Sequence, residues 1–317
     1  MLRSRGALGR PLVYRRRKNR LGRLLLAAVL LAAMGAVGVS VYVGWSLSHP
    51  AARPVDRTPA ELGLDYEAVA FPAPDGLTLR GWYLPAADSP YTIIMAHGYT
   101  SNRLQPSLPG LELARSLVAA GFNVLMFDFR NHGESEGHVT TLGYREAQDI
   151  HGAVEWLKGQ RAQQAQGIGL VGFSMGAATA ILAAADEPRI AAVVADSPFS
   201  DLRAYLTDNM PVWTGLPPVP FTWLIMTLLP PLIGLDTDAV SPLAAVPRLP
   251  QPLLLIHTDG DDVIPARESQ RLAAAGHPDR TQLWLASGPG HVGARRADPA
   301  AYDARVIDFF RTHLGQP

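Results

Sequence analysis

Ser174 stands between Gly172 and Gly176 in "GFSMG", after "GIGLVGF", which reads as a buried strand, and before "MGAATAILAAA", which reads as a small-residue helix. A serine at such a joint is placed for nucleophilic attack. In a Gly-x-Ser-x-Gly elbow the strand turns so sharply into the helix that the serine backbone is strained and its Oγ is pushed out over the sheet. The two glycines leave room for strand and helix to approach. A serine hydroxyl is a poor nucleophile until a base takes its proton. Of the nine histidines, His291 lies in "SGPGHVG", a glycine-rich loop after the last expected strand, where exposure suits a proton shuttle. His97 also ends a strand, but the Gly98 that follows suggests a tight turn and another role. The imidazolium formed during attack needs a carboxylate to orient it. "LLLIHTDGDDVIP" offers three, Asp259, Asp261 and Asp262.

Two rival chemistries fit these segments less well. Gly167-Ile168-Gly169-Leu170-Val171-Gly172 spells a dinucleotide fingerprint, yet that motif needs a strand before its first glycine, and here the motif is itself the strand. The aspartate cluster lacks the ligand spacing and terminal glutamate of a calcium loop. No cofactor and no metal are expected. The absence of cysteine excludes disulfides, thiol nucleophiles and thiolate metal sites.

The elements that must carry these residues alternate. "EAVAF" and "LTLRGWYL" form an expected hairpin turned at Pro74-Asp75-Gly76, and "YTIIMAH", "FNVLMFDF", "GIGLVGF", "IAAVVAD", "PLLLIHT" and "TQLWLAS" are apolar strands. Helices are expected near 111–120, 144–158, 267–275 and 302–313, and after Ser174. Apolar strands alternating with helices mean an α/β fold, a mostly parallel sheet covered on both faces. Ligands of such sheets bind at the carboxyl ends of strands, where His97, Asp128, Ser174, Asp196, Asp261 and His291 all fall.

Nine of the 28 basic residues precede position 24, and all 28 acids follow it, so the remainder carries a balance of −9. An acidic body argues against a nucleic-acid partner. Residues 24–47 then run 24 positions without a charge, enough to cross a bilayer as a helix. The expected organisation is a basic cytoplasmic tail (1–23), a transmembrane helix (24–47), a proline-rich linker (48–66) and a catalytic body (67–317). Positive charge stays inside, so the body is expected outside the cytoplasm. A cleaved signal peptide, with a small-x-small site at Ser46-Leu47-Ser48, would instead give a secreted protein.

With these pieces in place, the body resembles the α/β-hydrolase superfamily, in its esterase and serine-aminopeptidase-like branch. "HGYTSNR" is similar to the oxyanion loop after the third strand, "FDFRNHGESEG" to the D-x-R-x-H-G-x-S stretch, and "GFSMG" to the elbow. "PLLLIHTDGDDVIP" resembles the acid loop and "GPGH" the histidine loop, in the order Ser, Asp, His. The resemblance implies Ser174 as nucleophile, His291 as base and Asp261 as acid. It also implies an oxyanion hole made by the backbone N–H groups of Tyr99 and Met175, on a loop opened by His97 and Gly98. Thr258 and Ala177 stand where relatives carry glycine. Asp128, Arg130 and His132 are expected to tie down a loop and not to touch substrate.

Residues 200–236 break the alternation where such enzymes insert a cap. Their core, "FTWLIMTLL", is too short to span a bilayer and is expected to stop at Pro230-Pro231. It reads either as a packing helix or as an apolar lid over an acyl pocket, resting on the membrane. The expected function is hydrolysis of a small-molecule ester or acyl compound, apolar in character, through an acyl-enzyme. A peptidase or amidase with the same residues is the alternative, and a non-catalytic binding protein on the same fold is a third reading.

Overall fold

A computed structural model describes residues 13–315. The first helix, α1 (Val13–Ser48), is followed by a hairpin, β1 (Glu67–Pro72) and β2 (Thr78–Leu84), and then by β3 (Tyr91–Ala96). The chain continues through α2 (Gly110–Ala119), β4 (Asn123–Phe127), α3 (Glu146–Gln160), β5 (Gly167–Phe173), α4 (Met175–Asp186) and β6 (Ile190–Asp196). Two helices, α5 (Leu202–Thr214) and α6 (Trp223–Ile233), and the short α7 (Pro242–Ala245) precede β7 (Leu253–Gly260). The C-terminal part is α8 (Arg267–Ala275), β8 (Thr281–Pro289), the short α9 (Ala294–Ala297) and α10 (Pro299–Leu314).

The strands form one sheet in the order β1-β2-β4-β3-β5-β6-β7-β8. β2 runs antiparallel to β1 and β4, and the neighbours from β4 to β8 are parallel. Alternate side chains of each strand go to opposite faces, which is why both faces need a cover. Ile94, Leu125, Leu170, Val193 and Leu255 pack under α3, α4 and α8. Their neighbours Ile93, Val124, Val171, Val194 and Leu254 pack under α2 and α10. The register sets Ala96 beside Gly172, Phe173 beside Asp196, and Asp196 beside Ile256, so the strands end at a common edge. The expected α/β architecture is present, with the long N-terminal helix ahead of it.

One local expectation is corrected, the stop of the cap helix, and two segments show more than was expected of them. Helix α1 starts at Val13, well before the charge-free run, because arginine and lysine are themselves good helix formers. The rest of the basic tail, residues 1–12, lies outside the described residues. The proline-rich linker after α1 is laid against the body. Asn102 Nδ2 donates to Pro54 O at 2.8 Å, Arg57 pairs with Glu112, and Leu62, Leu64 and Tyr66 join the core under α2. Helix α6 does not stop at Pro230-Pro231 but runs to Ile233, where Gly234 ends it with a φ of 65°. Both prolines sit in its last turns, where the carbonyls left without amide partners are near the end of the ladder.

The loops after β3 and β4 are fixed by buried polar groups. Arg103 donates from its backbone N–H to Asp128 Oδ1 (2.7 Å) and from Nε to Oδ2 (3.0 Å). Arg130 is bidentate to Asp149 and reaches Asp75 Oδ2 at 2.7 Å. Burial opposes the charge on Arg130, but Asp149 and Asp75 outweigh it and raise the guanidinium pKa. Buried His97 joins the two loops: its Nδ1 faces Gly98 O at 2.8 Å and its Nε2 faces Phe129 N–H at 3.0 Å. A carbonyl only accepts, so Nδ1 carries the proton and Nε2 is the acceptor. Burial, with His132 nearby, lowers its pKa to about 3. In the unfolded chain the same side chain titrates at about 6.5.

His97 therefore makes stability depend on pH. Its contribution is fully present above about pH 6.5 and is lost as pH falls toward about 3, because the unfolded chain takes the proton first. Urea unfolding between pH 7 and pH 4 should show stability decreasing toward acid, by up to about 1.4 kcal/mol per pH unit from this group. A His97→Asn variant should show a shallower slope; an unaltered slope would mean that His97 is not held neutral.

Candidate active site

The joint between β5 and α4 is built as the glycines foretell. Ser174 takes φ 55° and ψ −119°, a conformation that an L residue adopts only under constraint. Its N–H donates to Asp196 O at 2.8 Å. A Cβ on Gly172 would run into the Gly176 carbonyl, and one on Gly176 into the carbonyls of Ala96 and His97. Strand, helix and the end of β3 therefore meet at backbone contact, and Oγ is thrust out above them.

Two loops bring partners to that oxygen. His291, in the loop after β8, places Nε2 2.7 Å from Ser174 Oγ and Nδ1 2.7 Å from Asp261 Oδ2. An ionised carboxylate only accepts, so Nδ1 carries the proton and Nε2 is free to accept from the serine hydroxyl. The other oxygen of Asp261 accepts the N–H groups of Val263 and Ile264, both at 2.9 Å. Burial works against the Asp261 charge. Hydrogen bonds from His257, His291 and the backbone overcome it and hold the carboxyl well below the usual carboxylate range. Asp259 instead accepts from Gly288 N–H at 3.0 Å, and Asp262 is exposed. Of the three aspartates, only Asp261 reaches the histidine.

Gly98 is pinned by Gln105, whose Oε1 accepts its N–H at 2.8 Å, while Gly98 O receives Ser101 N–H and His97 Nδ1–H. Next along the chain, Tyr99 borders a cavity that Ser174 also borders. Met175 opens α4, so its N–H has no acceptor inside the helix. Both residues line the cavity with Ser174 and His291.

That cavity measures about 410 Å³ and is roofed by α5 and α6, through Leu206, Met210, Ile225 and Leu229 among others. None of its lining side chains is an Asp, Glu, Lys or Arg. Its size and apolar lining match small-ligand sites, which span roughly 300–1,000 Å³.

Some contributors escaped the sequence reading. Gln105 carries no motif that would announce its hold on Gly98. Thr258 stood out only as a replaced glycine, yet its Oγ1 donates to Gly290 O at 2.7 Å and ties the acid loop to the histidine loop. Leu47 and Ser48, at the end of α1, line the cavity, which the sequence of an expected transmembrane helix does not announce. No cluster of three or more potential metal-ligating side chains occurs among the described residues.

A family model for X-Pro dipeptidyl-peptidase (S15 family) matches residues 81–228. The chain is 34% identical to the uncharacterized protein YqkD of Bacillus subtilis over 248 residues, 78% of this chain and 79% of that one. It is 32% identical to an uncharacterized protein of Mycobacterium tuberculosis over 298 residues, 91% of this chain and 94% of the other. Among solved structures, an esterase of Pyrococcus furiosus superposes with a TM-score of 0.71 at 30% identity, covering 84% of this chain and 100% of that one. Fold, extent of alignment and identity agree, and the chain belongs to the α/β-hydrolase superfamily of serine hydrolases.

Proposed function

We propose that the protein is a membrane-anchored serine hydrolase that cleaves carboxylic esters with an apolar acyl group through an acyl-enzyme. The observation that carries this reading is the hydrogen-bonded row Ser174–His291–Asp261 opening into an uncharged cavity. In the proposed reaction, Ser174 Oγ attacks the ester carbonyl as His291 Nε2 takes its proton. Asp261 holds the imidazole in its tautomer and stabilises the imidazolium. The N–H groups of Tyr99 and Met175 receive the negative charge on the carbonyl oxygen. The imidazolium then protonates the leaving alkoxide, and water repeats the sequence to release the acid.

The S15 match keeps peptide cleavage in view. An enzyme that reads a free peptide N-terminus must neutralise an ammonium, and this cavity offers no carboxylate to do so. The similar Pyrococcus furiosus protein is described as an esterase. Both points favour an ester. A purely binding role would leave the strained serine without a purpose.

The organisation proposed with this function has residues 1–23 in the cytoplasm, 24–47 across the bilayer, 48–66 as connecting strap, and 67–317 as the hydrolase with its cap at about 200–236. The helix Arg20–Ser48 is long and apolar enough to cross a membrane. Retention of that helix is favoured over cleavage because Leu47 O accepts the Tyr99 hydroxyl at 2.6 Å and Ser48 O accepts Thr140 N–H at 2.8 Å.

Four outcomes follow. Ser174→Ala should fold, lose fluorophosphonate labelling and lower kcat on p-nitrophenyl esters by about 10³-fold or more; retained hydrolysis would remove the serine from the chemistry. p-Nitrophenyl esters should be cleaved and aminoacyl arylamides left intact, with the reverse order favouring the peptidase. Asp261→Asn should cost far more activity than Asp259→Asn or Asp262→Asn, since only Asp261 bonds the histidine. Protease added to right-side-out vesicles should digest the body and spare the tail, and a protected body would reverse the topology.

A further inference from the structure

At 1.5 Å per residue the charge-free run Leu24–Leu47 is about 35 Å long, slightly more than a hydrocarbon core of about 30 Å. With the run across the bilayer as proposed, its last turns stand at the far edge of it, and those are the turns that the body grips. Residues 20–35 are exposed throughout, whereas Ser40, Gly44 and Ser48 are buried at four-residue spacing on one face. Gly44 permits close approach of α6, since a Cβ there would lie 2.9 Å from Leu229 Cδ2. Val43 and Leu47 pack into the apolar cluster of the cap. So α6 is packed against the last turns of α1.

The surface of the cap fits that position. Residues 209–235 contain no charged side chain over 27 positions. Trp213, Val219, Trp223 and Leu232 are exposed, as are Tyr42 and Trp45 on the gripped turns of α1. Aromatic rings collect at membrane interfaces, and a large exposed apolar patch needs a partner. Leu47 of α1 and Leu229 of α6 also share a wall of the cavity above Ser174.

We infer that the cavity takes the acyl chain of an ester resident in the bilayer, with the cap seated in the leaflet surface and the last turns of α1 forming part of the acyl-binding wall. This inference rests on Ser174 as the nucleophile. An ester carbonyl at headgroup depth reaches Ser174 beside the gripped turns, and its acyl chain exchanges lipid for an apolar cavity without crossing water. The span is then a determinant of substrate choice.

The test uses the full-length protein in vesicles of ether-linked phosphatidylcholine, with 4-methylumbelliferyl oleate either in the same vesicles or in separate ones. The initial rate should be at least about tenfold higher in the shared vesicles, and equal rates would overturn the inference. Leu47→Trp should lower kcat/KM for the oleate relative to 4-methylumbelliferyl acetate by about tenfold or more, while Leu31→Trp leaves the ratio unchanged. Should Leu47→Trp fail to fold, Leu47→Ala serves, and a ratio unchanged by it overturns the inference. Acetate hydrolysis that disappears in Ser174→Ala preserves the hydrolase reading through such a failure. Hydrolysis of neither ester by the wild type overturns that reading and this one together.

Discussion

A serine hydroxyl stands clear of a parallel sheet only if strand and helix meet at a backbone angle that L residues resist. That constraint at Ser174, φ 55°, governs the surrounding structure. Holding such a residue costs about 1–3 kcal/mol, which the surroundings must offset. They do so by close approach, since Gly172 and Gly176 bring the backbones of β5, α4 and β3 together and Asp196 O fixes the serine N–H. The nearly all-alanine face of α4 follows from the same need. Ala177, Ala180, Ala183 and Ala184 are fully buried, because larger side chains would lift the helix off the sheet.

The loops around that point are tied in two groups. Those after β7 and β8 are linked by Asp261–His291, Thr258–Gly290 and Asp259–Gly288. Those after β3 and β4 are linked by His97–Phe129 and Arg103–Asp128. Each group presents its partner to Ser174 from one side, the imidazole from the first and Tyr99 from the second. Such cross-ties suit a site that must keep donors and acceptors in place without reorganising during reaction.

Much of this was legible because the signals are local. Parallel strands buried on both faces must be continuous apolar runs, and an elbow must have small residues on either side of its serine. The choice of Asp261 was different. Asp259, Asp261 and Asp262 look alike in sequence, and only the family pattern separated them before the turn at Val263 and Ile264 was seen to orient one carboxylate. What stayed illegible depends on partners far along the chain. Nothing near Gly44 says that Leu229 lies against it, and nothing near Gln105 says that its amide oxygen holds Gly98. The packing of the linker at 48–66 is illegible for the same reason, since prolines report local stiffness and not what they lie on.

Tyr99 joins the proposed chemistry to the proposed anchor. Its backbone N–H belongs to the proposed oxyanion hole, and its half-buried hydroxyl donates to Leu47 O at the end of α1. One such bond is worth only about 0.5–1.5 kcal/mol net. It is not alone, because Val43 and Leu47 cover the cap cluster of Ile225, Ile233 and Leu235, and Gly44 seats Leu229. Removing α1 would bare that apolar cluster to water, open a wall of the cavity and take away one tie of the Tyr99 side chain, while the backbone ties of its loop remain. Sites held by such packing lose rate when a positioning group moves by as little as 1 Å. By that reasoning α1 and the hydrolase body act as one structural unit, and the last turns of α1 belong to the architecture of the site as much as the loops that carry His291 and Asp261.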